Sequence, residues 1–231
     1  MTKPRLLLFD IDGTLLDTRG SGAGALLDAV EDVFGVPRDS LPPLDLAGAT
    51  DGGVVRKLFN DAGLPMTEER AQAYRDSYLG HLKRRLHSDA FAGRLLPAIT
   101  ELLDALGQHD HVHLGLLTGN LRTGAGYKLS RFQIDHHFID GAFGDDAEER
   151  NLLGPIAVER LAKARGHGFE IEEVIVIGDT PKDIACANAL GARCLAVATG
   201  AFGVDHLSPH RPWQLLADFA ETQRVVELLV G

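Results

Sequence analysis

The sequence predicts an α/β fold, a parallel sheet core with helices on both faces, interrupted by an inserted all-helical segment. Three observations carry this. Short apolar runs of strand length recur along the chain and end in Asp, Thr or Gly. Helical patterns lie between most of them, opened by Pro and closed by Gly. From about Leu16 to Arg94 the alternation stops and only helical spacing is found. Strands alternating with helices of this length make a Rossmann-like sheet.

Leu6–Phe9 is the first strand, an unbroken apolar run suited to burial on both faces. After it, Ala23–Phe34, Gly52–Ala62 and Glu68–Leu86 carry apolar residues at helical spacing. Their joints to the sheet are Asp17–Gly22 and His87–Gly93. Residues 1–16 and 94–231 are therefore expected to form the core domain, and 17–93 a helical domain. The core resumes with a helix over Pro97–Leu106, stopped by Gly107, and a strand over Val112–Leu117. Phe138–Phe143 reads as a further strand. Pro155–Arg165 is a helix ended by Gly166, and Val174–Ile177 a strand. Pro181–Leu190 is a helix ended by Gly191, and Cys194–Ala198 the last strand.

Composition narrows the function. The formal net charge of −10 argues against nucleic acid or an anionic membrane as the main partner. An anionic substrate would need cations supplied locally by its site. Cys186 and Cys194 form no ligand motif and suit a reducing compartment, so a cytoplasmic location is expected. No apolar run approaches the ~18 residues of a membrane span. The expected state is a monomer or homodimer acting on a small molecule.

Open parallel sheets bind ligands beyond the carboxyl ends of their strands. Leu6–Phe9 is followed by Asp10-Ile11-Asp12-Gly13-Thr14, Val112–Leu117 by Thr118-Gly119-Asn120, and Val174–Ile177 by Gly178-Asp179-Thr180-Pro181-Lys182-Asp183. Taken singly, Asp, Thr and Gly are ordinary turn residues. Together they make one coherent phosphate site. Of Asp10 and Asp12, one carboxylate can attack phosphorus and the other can protonate the leaving oxygen, then activate water. Crowded carboxylates beside a phosphate require a hard divalent cation, and an all-oxygen set suits Mg²⁺ better than Zn²⁺. Asp179 and Asp183, one helical turn apart, are placed to hold it directly or through water. The Thr118 hydroxyl and the amides of Gly119 and Asn120 can donate to phosphate oxygens.

In type and order these three segments resemble the haloacid dehalogenase superfamily over nearly the whole chain, and the pattern is similar to its phosphoglycolate phosphatase-like members. The resemblance implies an Asp10 nucleophile, an Asp12 acid/base, Thr118 on the phosphate, and Mg²⁺ on Asp10, the Asp12 backbone carbonyl and Asp179. It also implies that the helical segment is a small cap. One departure stands out. The superfamily usually carries a Lys before the helix that precedes the last motif, whereas Glu148-Glu149-Arg150-Asn151-Leu152-Leu153-Gly154-Pro155 contains none. Arg150 is the nearest cation and Lys128 the second candidate.

A cap beginning beside the nucleophile can close over the leaving group and select it. Thr18-Arg19-Gly20 and Gly48-Ala49-Thr50-Asp51-Gly52 are the turns expected to face the site. Arg19, Thr50 and Arg56 are the candidate substrate contacts, the two arginines suiting a carboxylate such as that of phosphoglycolate.

Other signals are weaker. Gly20-Ser21-Gly22-Ala23-Gly24-Ala25 fits a dinucleotide pattern but does not sit directly between a strand and its helix, so it reads as a hinge. His109, His111 and His113 alternate, yet lie before a strand, far from its carboxyl end. Lys83-Arg84-Arg85 reads as a solvated helix face. The expected activity is hydrolysis of a small phosphate monoester, and the alternative is a phosphomutase of the β-phosphoglucomutase type. Asp12 argues against carbon–halogen hydrolysis, which does not need a second acid. The intact acidic set argues against a non-catalytic binding module.

Overall fold

In the computed structural model, which describes residues 3–41, 46–61, 63 and 67–231, the chain opens with strand β1 (Arg5–Phe9). A two-residue strand, β2 (Leu16–Asp17), leads into three helices: α1 (Ser21–Phe34), α2 (Asp51–Asp61) and α3 (Glu68–Leu86). The return passes through β3 (Arg94–Leu95), and helix α4 (Ile99–Leu106) follows. Next come β4 (Val112–Leu117), α5 (Arg122–Arg131), β5 (Gly141–Ala142), α6 (Leu153–Arg165) and β6 (Val174–Gly178). The chain ends with α7 (Pro181–Leu190), β7 (Arg193–Val197), α8 (Val204–Leu207), β8 (Gln214–Leu216) and α9 (Thr222–Val230).

Six strands form one parallel sheet in the order β5-β4-β1-β6-β7-β8. β1 is central, and Leu6, Leu7, Leu8 and Phe9 are all fully buried. Strand side chains alternate between faces. Leu7 and Phe9 therefore join the core shared with α4, α5 and α9, and Leu6 and Leu8 the core shared with α6 and α7. Each such buried side chain is worth roughly 1.5–3 kcal/mol of transfer free energy. This two-sided burial is what an uninterrupted apolar run signals.

The helical segment builds a core of its own. Ala25, Leu26, Ala29, Val30, Leu58, Phe59, Tyr74, Tyr78 and Leu82 pack together, with Leu121 reaching in from the sheet side. Arg85, within the basic run expected to be solvated, instead donates to Asp28 at 2.6 Å and ties α3 to α1. The N-cap of α3 is Thr67, whose hydroxyl accepts from the Arg70 amide.

Three expectations need correction. The stretch from Leu16 to Arg94 is not wholly without strand, because β2 and β3 pair antiparallel where the chain leaves and re-enters the sheet domain. Two residues carry no period, so pattern reading passes over them. The strand expected over Phe138–Phe143 shrinks to Gly141–Ala142, since residues 135–137 coil into a 3₁₀ turn and the Asp140 carboxylate takes the Gly141 amide. The edge strand β8 and helix α9 lie in a tail with no assigned element. The expected helix Gly52–Ala62 ends in a residue outside the described set.

Candidate active site

β1 runs straight into Asp10, whose amide still donates to the Ile177 carbonyl at 2.9 Å, so the nucleophile candidate begins on rigid sheet. The turn that follows needs Gly13 for two reasons. Its φ of +82° favours glycine, and a Cβ there would stand 2.4 Å from Asp179 Oδ2. Asp179 follows directly after β6, and its Oδ1 accepts from the Thr14 hydroxyl at 3.2 Å. α7 then starts with a capping box. The Asp183 amide donates to Thr180 Oγ1 at 3.3 Å, and the Thr180 amide donates to Asp183 Oδ2 at 3.0 Å.

One carboxylate oxygen each from Asp10, Asp179 and Asp183 lie within 4.8 Å of one another, all three residues buried. Burial, together with repulsion from Asp183 and Asp12, pushes the Asp10 carboxyl up to about 6 against the pull of Arg150. Burial, then Asp183 and Asp10, push Asp179 up to about 8. These acids lack sufficient positive charge among themselves. The donor set is hard oxygen throughout, which fits Mg²⁺. Asp179 and Asp10 have oxygens to offer a cation. Asp183 is committed, with Oδ2 in the helix cap and Oδ1 on Arg150 at 2.5 Å, so its place is to support the site from behind.

Both candidate cations reach the acids, and each takes a different one. Arg150 opens a 3₁₀ turn ahead of α6, and its Nη2 donates to Asp10 Oδ1 at 3.1 Å and to the Leu117 carbonyl at 3.2 Å. Its Nη1 donates to the Gly48 carbonyl of the helical segment at 3.3 Å. Lys128, on α5, donates to Asp12 Oδ2 at 2.6 Å and to Asn120 Oδ1 at 2.5 Å. Asn120 Nδ2 in turn donates to Asp12 Oδ2 and to Thr118 Oγ1, both at 2.8 Å. Arg150 is 7% exposed and Lys128 3%. Burying a cation costs several kcal/mol unless it is paired, so such pairs mark functional ground more often than stabilising ground.

The helical segment closes the site. Gly48, Ala49 and Asp51 line a cavity of about 400 Å³ together with Asp10, Thr118 and Lys128. The Asp51 amide donates to the Gly119 carbonyl at 2.7 Å, and Asp51 Oδ2 accepts from the Leu121 amide at 2.9 Å. Burial raises the Asp51 carboxyl, while Lys128, the Leu121 amide and the Tyr78 hydroxyl oppose the rise. Asp51 and Tyr78 do not stand out in the sequence. An Asp in the first turn of a helix reads as a dipole partner, and a Tyr at helical spacing reads as core. The only available signal is that Asp51 sits inside the turn expected to face the site.

Arg19, Thr50 and Arg56 are not brought to the cavity. Arg19 turns outward, with φ +52°, and its Nε pairs with Asp17 at 3.0 Å. Arg56 pairs with Glu148 on the outer side of α2. The Thr50 hydroxyl donates to the Glu148 carbonyl at 2.5 Å and accepts from the Gly53 amide, so it caps α2 and fastens it to the core. Gly20, the N-cap of α1 just after β2, and Gly22, in the first turn of α1, line the cavity from the joint into the helical segment. His113 enters β4 at the edge remote from Asp10, paired in register with Leu6.

A family model for haloacid dehalogenase-like hydrolases matches residues 7–188. A 5'-nucleotidase from Pseudomonas aeruginosa is 26% identical, covering 96% of this chain and 95% of its own length. A phosphoglycolate phosphatase from Rhodospirillum rubrum is 26% identical over 85% of this chain and 80% of its own. A hydrolase of known structure from Pseudomonas syringae superposes with a TM-score of 0.74 at 20% identity, covering 99% of this chain and all of the other, which speaks for the fold alone. The chain belongs to the haloacid dehalogenase-like hydrolases.

Proposed function

We propose that this haloacid dehalogenase-like phosphatase is Mg²⁺-dependent and hydrolyses a small phosphate monoester through an aspartyl-phosphate on Asp10. The carrying observation is Asp10 itself. It is buried at the end of the central strand, held by Arg150 at 3.1 Å and faced by Asp179. The relatives named 5'-nucleotidase and phosphoglycolate phosphatase support a small ester, and the latter a compact acidic one.

The free Asp10 oxygen attacks phosphorus, and the bond from phosphorus to the ester oxygen breaks. Arg150 neutralises the nucleophile and the incoming phosphoryl group together, which is the role its contacts fit. Asp12 gives its proton to the departing oxygen. It then takes a proton from the water that attacks the phosphoenzyme, freeing inorganic phosphate and the Asp10 carboxylate. The Thr118 hydroxyl and the Gly119 amide orient the phosphoryl oxygens, while Lys128 and Asn120 aim the Asp12 carboxyl. Asp10, Asp179 and the Asp12 carbonyl would hold Mg²⁺, which when bound would supply positive charge against the phosphoryl oxygens. Residues 17–93 act as the cap that excludes water and meets the leaving group, on a core of residues 1–16 and 94–231.

The test is turnover of p-nitrophenyl phosphate with Mg²⁺, with EDTA, and by Asp10→Asn. EDTA should silence the enzyme, and Asp10→Asn should lower kcat by about 10³ or more with the fold intact. Wild-type activity indifferent to EDTA, or an Asp10→Asn variant within tenfold of wild type, would overturn the mechanism.

A further inference from the structure

The cap wall of the cavity is unusual in its charge. Among the described residues, the cap lines it with Asp17, Asp51, Thr18, Tyr78 and otherwise small or aliphatic residues such as Gly22, Ala23, Leu26 and Val54. No Lys, Arg or His of the cap lines it. The sequence also places none at positions 42–45, 62 or 64–66. The two cations that do line it come from the core and are already engaged. Arg150 holds Asp10 and Asp183, and Lys128 holds Asp12 and Asn120. Arg19 and Arg56, the residues that would greet a second anion, do not line it and are paired, Arg19 with the Asp17 carboxylate and Arg56 with Glu148.

We propose that the cap selects a phosphate ester whose leaving group is uncharged and carries a hydroxyl, with Asp51 as the acceptor for that hydroxyl and as the element that rejects a carboxylate. This rests on the phosphatase reading and departs from the compact acidic ester that the phosphoglycolate phosphatase relative suggests. The physical basis is a difference in affinities. An anionic leaving group would meet the partly buried Asp51 carboxylate in the cavity, where like-charge repulsion is less screened than in bulk water, and would find no cation of the described cap residues lining the cavity to compensate it. A hydroxyl group donates to the same carboxylate and replaces a hydrogen bond lost to water. Asp51 is well fixed for this. Its Oδ2 is anchored on the Leu121 amide, its main chain on Gly119, and Tyr78 steadies it from α3. The apolar remainder, Leu26 and Val54, suits the carbon frame of such an alcohol.

The experiment compares three esters on the full chain with Mg²⁺: 2-hydroxyethyl phosphate, 2-phosphoglycolate, which matches it in size, and p-nitrophenyl phosphate. The readout is the kcat/KM ratio of the first to the second, measured in wild type and in Asp51→Asn. Wild type should favour the hydroxyethyl ester by about tenfold or more, the scale of one repulsive contact. Asp51→Asn should shrink that ratio at least several-fold, because the amide no longer repels a carboxylate. A wild-type preference for phosphoglycolate overturns the proposal, and so does an unchanged ratio in the variant. The wild-type ratio decides the charge claim even if the variant folds poorly. Failure to turn over any of the three esters, p-nitrophenyl phosphate included, would instead sink the phosphatase reading itself.

Discussion

Arg150 and Lys128 differ by where they attach, and that separates their expected effects. Arg150 touches Asp10, the proposed nucleophile, so Arg150→Ala should leave Asp10 and phosphate to approach without compensation. Loss of such a donor typically costs about 3 kcal/mol, and kcat/KM should fall by about 10² or more for every ester, good leaving group or poor. Lys128 touches Asp12, the proposed proton donor, instead. Lys128→Met should then hurt alkyl esters much more than p-nitrophenyl phosphate, whose leaving group needs little protonation. Equal losses for both ester types would place Lys128 on the phosphate rather than on Asp12. A second residue, remote from the chemistry, sets the acid limit of stability. His113 is buried at the far edge of β4 with its Nδ1 unpaired among the described residues, and burial, with Arg165 and His167 nearby, pushes it down to about 4. A histidine kept neutral in the fold but free to protonate when unfolded gives stability that is complete above about 6.5 and is lost as pH falls toward about 4. Thermal melts of wild type and His113→Leu between these limits check it: the variant should show the flatter profile, and parallel curves would clear His113 of the role.

At the scale of elements, the seam between cap and sheet is made by loops rather than by packed helices. A Cβ on Gly119 would stand 1.9 Å from the Ala49 carbonyl, so the loop after β4 tolerates the helical segment only because Gly119 lacks a side chain. Gly119→Ala is therefore expected to hold the cap away from the site while leaving both hydrophobic cores untouched. Its kcat/KM should drop by about tenfold or more, with a melting temperature close to wild type. A drop in melting temperature as large as that of a core truncation would show the clash to be absorbed inside the core instead. The same seam explains what the sequence can and cannot reveal. Asp10, Asp12, Thr118, Asp179 and Asp183 are readable because a strand end is a local pattern: an apolar run, then a turn residue of given chemistry. Arg150 and Lys128 are readable as candidates, but not their division of labour, which depends on which way α5 and the turn before α6 face. Asp51 and Tyr78 are not readable as site residues, because the face a cap helix turns to a loop 70 residues away is settled by tertiary packing. Arg19 and Arg56 draw attention by charge alone, and each has a nearby carboxylate to satisfy it. β8 escapes because a three-residue edge strand carries little periodic signal, whereas α9 does carry one, with Val225 and Leu229 buried at helical spacing, but is a short helix of nine residues after a Pro- and His-containing tail.

For the molecule as a whole, the cluster of Asp10, Asp179 and Asp183 is expected to couple metal binding to folding. Three carboxylates brought within 4.8 Å repel one another, and Arg150 offsets only part of that repulsion. These acids come from two different strand ends and a helix start, segments that unfolding pulls apart, so the unfolded chain offers no comparable site. A cation that binds the folded form alone stabilises it by about 2.7 kcal/mol at a hundred times its dissociation constant. Mg²⁺ should accordingly raise the melting temperature in a concentration-dependent way, and EDTA should reverse the rise. Ca²⁺ should also stabilise, since it accepts the same oxygens, but should support turnover poorly because its coordination is larger and looser. Asp179→Asn separates the two sources of the effect. It removes one negative charge, so the metal-free variant should melt above metal-free wild type, yet it should respond far less to added Mg²⁺. A variant whose melting temperature climbs with Mg²⁺ as steeply as the wild type's would remove Asp179 from the metal site, and would leave the acids at the end of β6 without a cation to account for their crowding.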